Sequence, residues 1–470
     1  MLTLNRREFL RATAAATASA VLAPTLFPTP ARAAGLPTEI PPGPRPPQDP
    51  SVQILHPRNR TPLAFIIDDS TCLVNMAYFC MPQFNAALPT RPDYWKKWKT
   101  WPREIPDDFV REFGEFAAEQ GVRGKYSLVP YPACVGWLDR ELPGWSRKEL
   151  KESLKLVRDL IAPNFDITPE MITHTRVIDI KTGRPVEPIG PNTIENAYPP
   201  VKKSADELAA YIAYALKILK NCDIACGAIT TPGGFGNKCR AELSQAVREA
   251  VTAVYATEIP HYFKYIIEDD EPTHPRLEHV ENLETDHPRL VVNVPAGIGD
   301  NFGGWDGDRP PQPDKYATED ASAGRLIDLI ERNQPAVMFG HWAGLYTHGT
   351  KKGLEAAKRV ILSLNRRYRD TTIWMKTGEL ARYQAAKELT RIERTGNTLT
   401  LTAPFACPDF TLRIPRAGNQ PPRLTHDDGT AAFAEVNDPR DVKPGTWLPQ
   451  NAANILCINL PKGRTLLAID

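Results

Sequence analysis

Leu63-Ala64-Phe65-Ile66-Ile67-Asp68-Asp69-Ser70 runs an apolar segment straight into two adjacent carboxylates. A strand buried on both faces of an α/β protein reads as a continuous apolar run. Ligands in such folds bind beyond the carboxyl ends of the strands, which is where Asp68 and Asp69 fall. Neighbouring carboxylates repel. The pair is tolerable when solvated, bound to a cation, or sharing a proton.

Outward from this stretch, strand-like and helix-like segments alternate. Phe109, Phe113, Phe116 and Ala117 share a helical face, and Gly121 can end that helix. Tyr126 to Val129 reads as a strand. Ser146–Glu149 and Ser204–Glu207 are capping boxes opening two amphipathic helices. Met171–Ile180, Ile224–Ile229, Leu290–Val294, Ala336–Phe339 and Ile373–Met375 read as further strands. Helices are expected over 240–257, 320–332, 352–368 and 377–389. Residues 70–105 read as an irregular aromatic loop with Phe84, Tyr94, Trp95, Trp98 and Trp101, suited to stacking on sugar rings. The expected fold is a distorted parallel (β/α)-barrel of about seven strands over residues 63–390. No G-x-G-x-x-G follows the first strand, which argues against a dinucleotide fold.

After Arg391 the period changes to two, as in Thr398-Leu399-Thr400-Leu401-Thr402. Short strands split by turn residues predict a small C-terminal β-sandwich over 391–470. Before the barrel, residues 34–62 form a Pro-rich arm. Residues 1–33 combine Arg6-Arg7, a short Ala-rich apolar run and the Ala31-Arg32-Ala33 box. Together these read as a twin-arginine export signal, so the expected location is periplasmic or secreted.

In 470 residues, Lys+Arg 57 nearly balances Asp+Glu 56. That balance points to neither nucleic acid nor an anionic membrane surface. No stretch of the mature chain is long and apolar enough to span a membrane. The eight cysteines lack zinc-site spacing.

Three features fall at expected strand ends: Asp68-Asp69, His174 in Ile172-Thr173-His174-Thr175-Arg176, and His341 in Phe339-Gly340-His341-Trp342, with His348 seven residues on. Asp and His at separate strand ends suit a divalent metal or a general acid/base pair. On these residues the segment 60–390 resembles the polysaccharide deacetylase (NodB-homology) superfamily. The resemblance implies Asp68 as general base, Asp69 and His174 as metal ligands and His341 as general acid. It implies a divalent metal, zinc by the family's habit, and a carbohydrate substrate. Trp342, His348 and Phe235, the last in Thr231-Pro232-Gly233-Gly234-Phe235-Gly236, are the expected substrate contacts. The family's His-x-x-x-His motif, started at His174, would end on Ile178, which cannot ligate, and Thr231 stands where an Arg is usual. The expected function is thus an exported, metal-dependent glycan deacetylase. A glycoside hydrolase on the same barrel and a non-catalytic glycan-binding protein are the alternatives.

Overall fold

The computed structural model describes residues 36–469 apart from Asp286, 417–420 and 427–428. Residues 1–33, where an export signal is expected, lie outside the described residues.

Apart from a small hairpin, Ile178–Asp179 with Arg184–Pro185, nine strands form the α/β part among the described residues: β1 Thr61–Asp68, β2 Gly124–Ser127, β3 Phe165–Thr168, β4 Ala228–Thr230, β5 His261–Phe263, β6 Arg276–Glu281, β7 Arg289–Asn293, β8 Ala336–His341 and β9 Thr372–Trp374. They make two sheets. One has the order β8-β1-β2-β3, with β9 also paired to β1, and all its pairings are parallel. The other has the order β4-β5-β7-β6, parallel except for β7 against β6. Among the described residues these strands form no single closed sheet, so the α/β layering expected from the sequence is present without a closed barrel. One seam, from β3 to β4, carries the amide of Thr230 donating to the Pro169 carbonyl (2.9 Å). The other, beyond β7, carries the amide of Gly297 donating to Val337 (2.8 Å). Three-residue strands such as β4 and β5 are too short to extend a ladder across either seam.

Strand β1 shows how sequence period sets the site. Successive side chains of a strand point to opposite faces. Leu63, Phe65 and Ile67 pack into the large cluster under the helices. Ala64 and Ile66 join Val337 and Phe339 of β8 in a second cluster. Asp68 continues the parity of Ala64 and Ile66, and His341 that of Val337 and Phe339. The two are register partners on neighbouring parallel strands. Both reach the same face at the carboxyl ends.

Gly124 starts β2 opposite Phe65. A Cβ there would overlap the Phe65 backbone carbonyl. Gly124→Ala is expected to lose about 1–3 kcal/mol or more, because neither strand can shift without breaking the β1 ladder. Thermal melting of the variant checks this.

The helices 240–255, 352–368 and 377–389 follow the expected periodicity. The 70–105 segment instead contains a helix, Met76–Ala87, capped by the Asn75 side chain accepting from the Ala77 amide. Its internal Pro82 disguises it in the sequence. Residues 171–177 form a loop where a strand was expected. From Arg391 on, the strands form two sheets, one of five strands and one of four that Gln53–Ile54 of the Pro-rich arm completes as a fifth. Apolar residues of both, Leu401 and Leu467 with Leu412 and Leu456, fall in the second cluster together with Ile66 and Val292. All eight cysteines are unpaired. Among the described residues no helix is long and apolar enough to cross a membrane.

Candidate metal centre and catalytic cleft

At the carboxyl ends of the strands lies a cavity of about 460 Å³. Asp68, Asp69, Glu170, His174 and His341 line it. The structure thus brings together the four residues expected to carry metal and proton chemistry. It adds Glu170, which the sequence reading passed over.

Asp69, Glu170 and His174 are all buried, and one donor atom from each lies within 4.8 Å of the others. His174 Nε2 is 2.7 Å from Asp69 Oδ1 and 3.6 Å from Glu170 Oε1. The other Glu170 oxygen accepts the backbone N–H of Asp69 at 2.8 Å, which fixes the carboxylate's orientation. Asp69 Oδ1 has no hydrogen bond of acceptable geometry, although it is buried. Two carboxylates and an imidazole converging on one point form a donor set that fits a divalent transition metal.

Electrostatics support the same fit. Burial and the neighbouring Asp68 and Asp69 push the Glu170 carboxyl up to about 8. Burial likewise pushes the Asp68 carboxyl up, against the pull of Lys125. Burial opposes ionisation of Asp69 too, but His174 and His341 outweigh it and hold this carboxyl below its ordinary value. Burial disfavours a charged His174, yet Asp69 overrides it and holds the imidazole well above its ordinary value. Lys125 pairs with Asp68, and a proton held on His174 balances charge beside Asp69 and Glu170; a divalent cation bound there would take that proton's place.

His174 reaches Asp69 because its loop is folded around a further buried carboxylate, Glu195. Glu195 accepts the amides of Ile172 (3.1 Å), Thr173 (3.0 Å) and His174 (2.5 Å), and the Tyr211 hydroxyl (2.5 Å). The Thr173 hydroxyl oxygen accepts from the Thr175 and Arg176 amides. These bonds hold His174 at φ +67°, and Asp69 stands at φ +59°. Side chains adopt this left-handed region at a cost of order 1 kcal/mol, with Asp and His among the more tolerant residues. Glu195→Gln is expected to weaken metal affinity by about 10- to 100-fold, because partners that orient a ligand carry that much. Competition with a fluorescent chelator measures it.

Beside this group stand a base and an acid candidate. The Lys125 ammonium, on β2, forms a buried ion pair with Asp68 and also donates to the Thr230 hydroxyl. Lys125 thus provides a cation beside Asp68, where the family resemblance would have placed an Arg at Thr231. His341 Nδ1 lies 2.7 Å from Asp300 Oδ2, so its Nε2 is left for substrate. Burial alone would lower the His341 value. Asp69, then Asp300 and Asp68, raise it to about 9.

The expected substrate contacts are corrected. Trp342 is fully buried, packed on Phe109, Phe113 and Tyr126. The short helix 342–346 turns it back under the sheet. Phe235 is also fully buried, against Tyr198 and Tyr211. His348 stacks on Trp101 with centroids 4.4 Å apart and does not line the cavity. The rings that line it are Phe84, Tyr94, Phe263, Trp305 and Phe339. Phe84, Tyr94 and Trp305 contact one another at 5.2–6.1 Å. Glu170, Lys125, Glu195 and Asp300 have no motif of their own. Only Glu170 left a signal, four residues before His174, in the first position of a His-x-x-x-His spacing.

No family model and no curated protein matches the sequence. Among solved structures, the chain is similar to the probable polysaccharide deacetylase of Pseudomonas aeruginosa PAO1, with 10% identity, 69% of this chain and 90% of that chain covered, and a TM-score of 0.37. A CE4 family pseudoenzyme from Bacillus anthracis aligns with 12% identity over 70% of this chain and 67% of its own, at a TM-score of 0.30. The α-fucosidase of Thermotoga maritima aligns with 10% identity over 88% and 97%, at 0.31. At these identities and TM-scores the likenesses carry no argument about chemistry.

Proposed function

We propose that this chain is a metal-dependent carbohydrate deacetylase, releasing acetate from N- or O-acetylated sugars. The observation that carries the reading is the convergence of a metal-type ligand set, a carboxylate and an imidazole on one cavity floor. Asp69, Glu170 and His174 would hold the ion, with zinc the first candidate. A divalent ion there supplies Lewis-acid polarisation of the acetyl carbonyl and acidifies water.

The remaining chemistry belongs to the chain's own groups. Asp68 takes the proton of the attacking water as the C–O bond forms. Lys125 holds Asp68 in place and stabilises its anion between turnovers. His341 Nε2 gives its proton to the departing nitrogen or oxygen as the acyl bond breaks. Asp300 fixes the imidazole's orientation and favours its protonated form. Phe84, Tyr94 and Trp305 offer flat apolar faces on which a sugar ring can stack. The Arg6-Arg7 signal supports an exported enzyme, folded before translocation.

The test is acetate release from acetylated glycans. We expect activity in the purified protein, its loss after chelation, and its return on adding a divalent ion. Reducing-sugar release without acetate would instead indicate a glycosidase. Glycan binding without either product would indicate a binding protein.

A further inference from the structure

The cavity floor is acidic, and its walls carry cations as well as acids. Lys264 follows β5 at the carboxyl end and lines the cavity while only 2% exposed. Its Nζ donates to the Phe235 carbonyl. Near it stand the Tyr265 ring at 5.8 Å, the Arg240 side chain and the Cys239 thiol, and no carboxylate pairs with it among the described residues. A buried ammonium without a counter-charge is costly. Burial, with Arg240 adding to it, lowers this lysine to about 7.

The cavity is also lined by Arg309 and Lys315, both exposed. Neither has a carboxylate within ion-pair distance among the described residues. The wall acids are engaged already. Asp93 pairs with Arg91 at 2.7 Å, Asp300 with His341, and Glu268 accepts the Gly299 amide at 3.1 Å.

We propose that the substrate carries an oxyanion substituent, and that Lys264, Arg309 and Lys315 recognise it beside the acetyl group to be removed. This rests on the deacetylase reading and narrows its substrate to acidic glycans, with carboxylate the first candidate and sulfate the other. The anion completes the missing counter-charge of Lys264. Arg309 and Lys315 draw it into the cleft from solvent.

The test compares acetylated polygalacturonate with the same polymer after methyl esterification, which removes the charge and keeps the backbone. The metal-loaded full chain is assayed for both binding and acetate release. We expect the charged form to be preferred about tenfold or more, since hydrogen bonds to charged groups reach that size. The preference should shrink as salt rises. An acetylated sulfated galactan run beside them separates sulfate from carboxylate as the recognised group. Lys264→Gln should bring the charged-to-neutral ratio toward one. Because Lys264 is buried, Lys315→Gln on the exposed rim gives a second reading in the same direction. Equal binding of both forms, or binding of neither, overturns the proposal. Charge-selective binding without acetate release overturns the deacetylase reading alone.

Discussion

Glu170→Ala is expected to leave the chain folded, empty of metal and inactive. The loss of turnover should be roughly a thousandfold, since the ion is asked for several kcal/mol of transition-state stabilisation. Asp69→Ala and His174→Ala should match it. Glu170 separates the present account from the resemblance taken alone, which offered no certain third ligand. Its Oε1 lies 3.6 Å from His174 Nε2, and its other oxygen is held by the Asp69 amide. Removing it takes away one ligand and loosens a second. The folded state should survive, because the substitution relieves crowding among three buried carboxylates. Metal content, circular dichroism and acetate release on one preparation check all three statements. A variant that keeps its ion and its rate would show that Glu170 is only a buried partner of Asp69.

The second large effect concerns the acid. His341→Asn should cost about 100- to 10,000-fold in kcat, the range for losing a positioned proton donor. Metal content should be unchanged, because His341 lies outside the ligand set. Asp300→Asn keeps the imidazole but removes the carboxylate 2.7 Å from Nδ1. We expect a smaller loss, about tenfold or more. The pH profile should also move. His341 must carry its proton to act, so activity falls as pH rises through its value. That value is raised to about 9 by Asp69, Asp300 and Asp68 against the opposing effect of burial. Without Asp300 the proton is held less tightly, so the alkaline limb should shift to lower pH. A bound divalent ion offsets part of the Asp69 contribution and makes Asp300 the more important of the two. An unmoved alkaline limb would assign it to another group.

How far the sequence reaches can be seen residue by residue. Asp68 and His341 were legible because parity along an apolar strand decides which face a terminal side chain takes. The helices 352–368 and 377–389 were legible from their 3.6-residue period. His174 was found for the wrong reason. Its apolar and β-branched neighbours suggested a strand over 171–180. The strand is Phe165–Thr168, ending at Pro169, and the threonines that follow hydrogen-bond their own backbone as turn formers do. That misreading put His174 first in the ligand motif, when Glu170 precedes it at the same spacing. Lys125, Glu195 and Asp300 act through contacts 57, 21 and 41 residues distant in sequence. No local period encodes such partners. Trp342 was misjudged by adjacency: it follows His341, but the chain turns into a helix there and sends the ring into the core. The distorted barrel of about seven strands is an extrapolation from strand count. Alternation of strands and helices fixes the layering, but closure depends on strand length and ladder continuity, which periodicity does not carry.

The central claim is that the buried Asp69, Glu170 and His174 hold a divalent ion. Elemental analysis of the purified wild-type chain tests it most directly. The expected result is about one divalent transition-metal ion per chain, removable by a chelator and restored on dialysis against the metal. A chain that carries no ion as purified, and takes up none when offered zinc, manganese, cobalt or nickel, would contradict it.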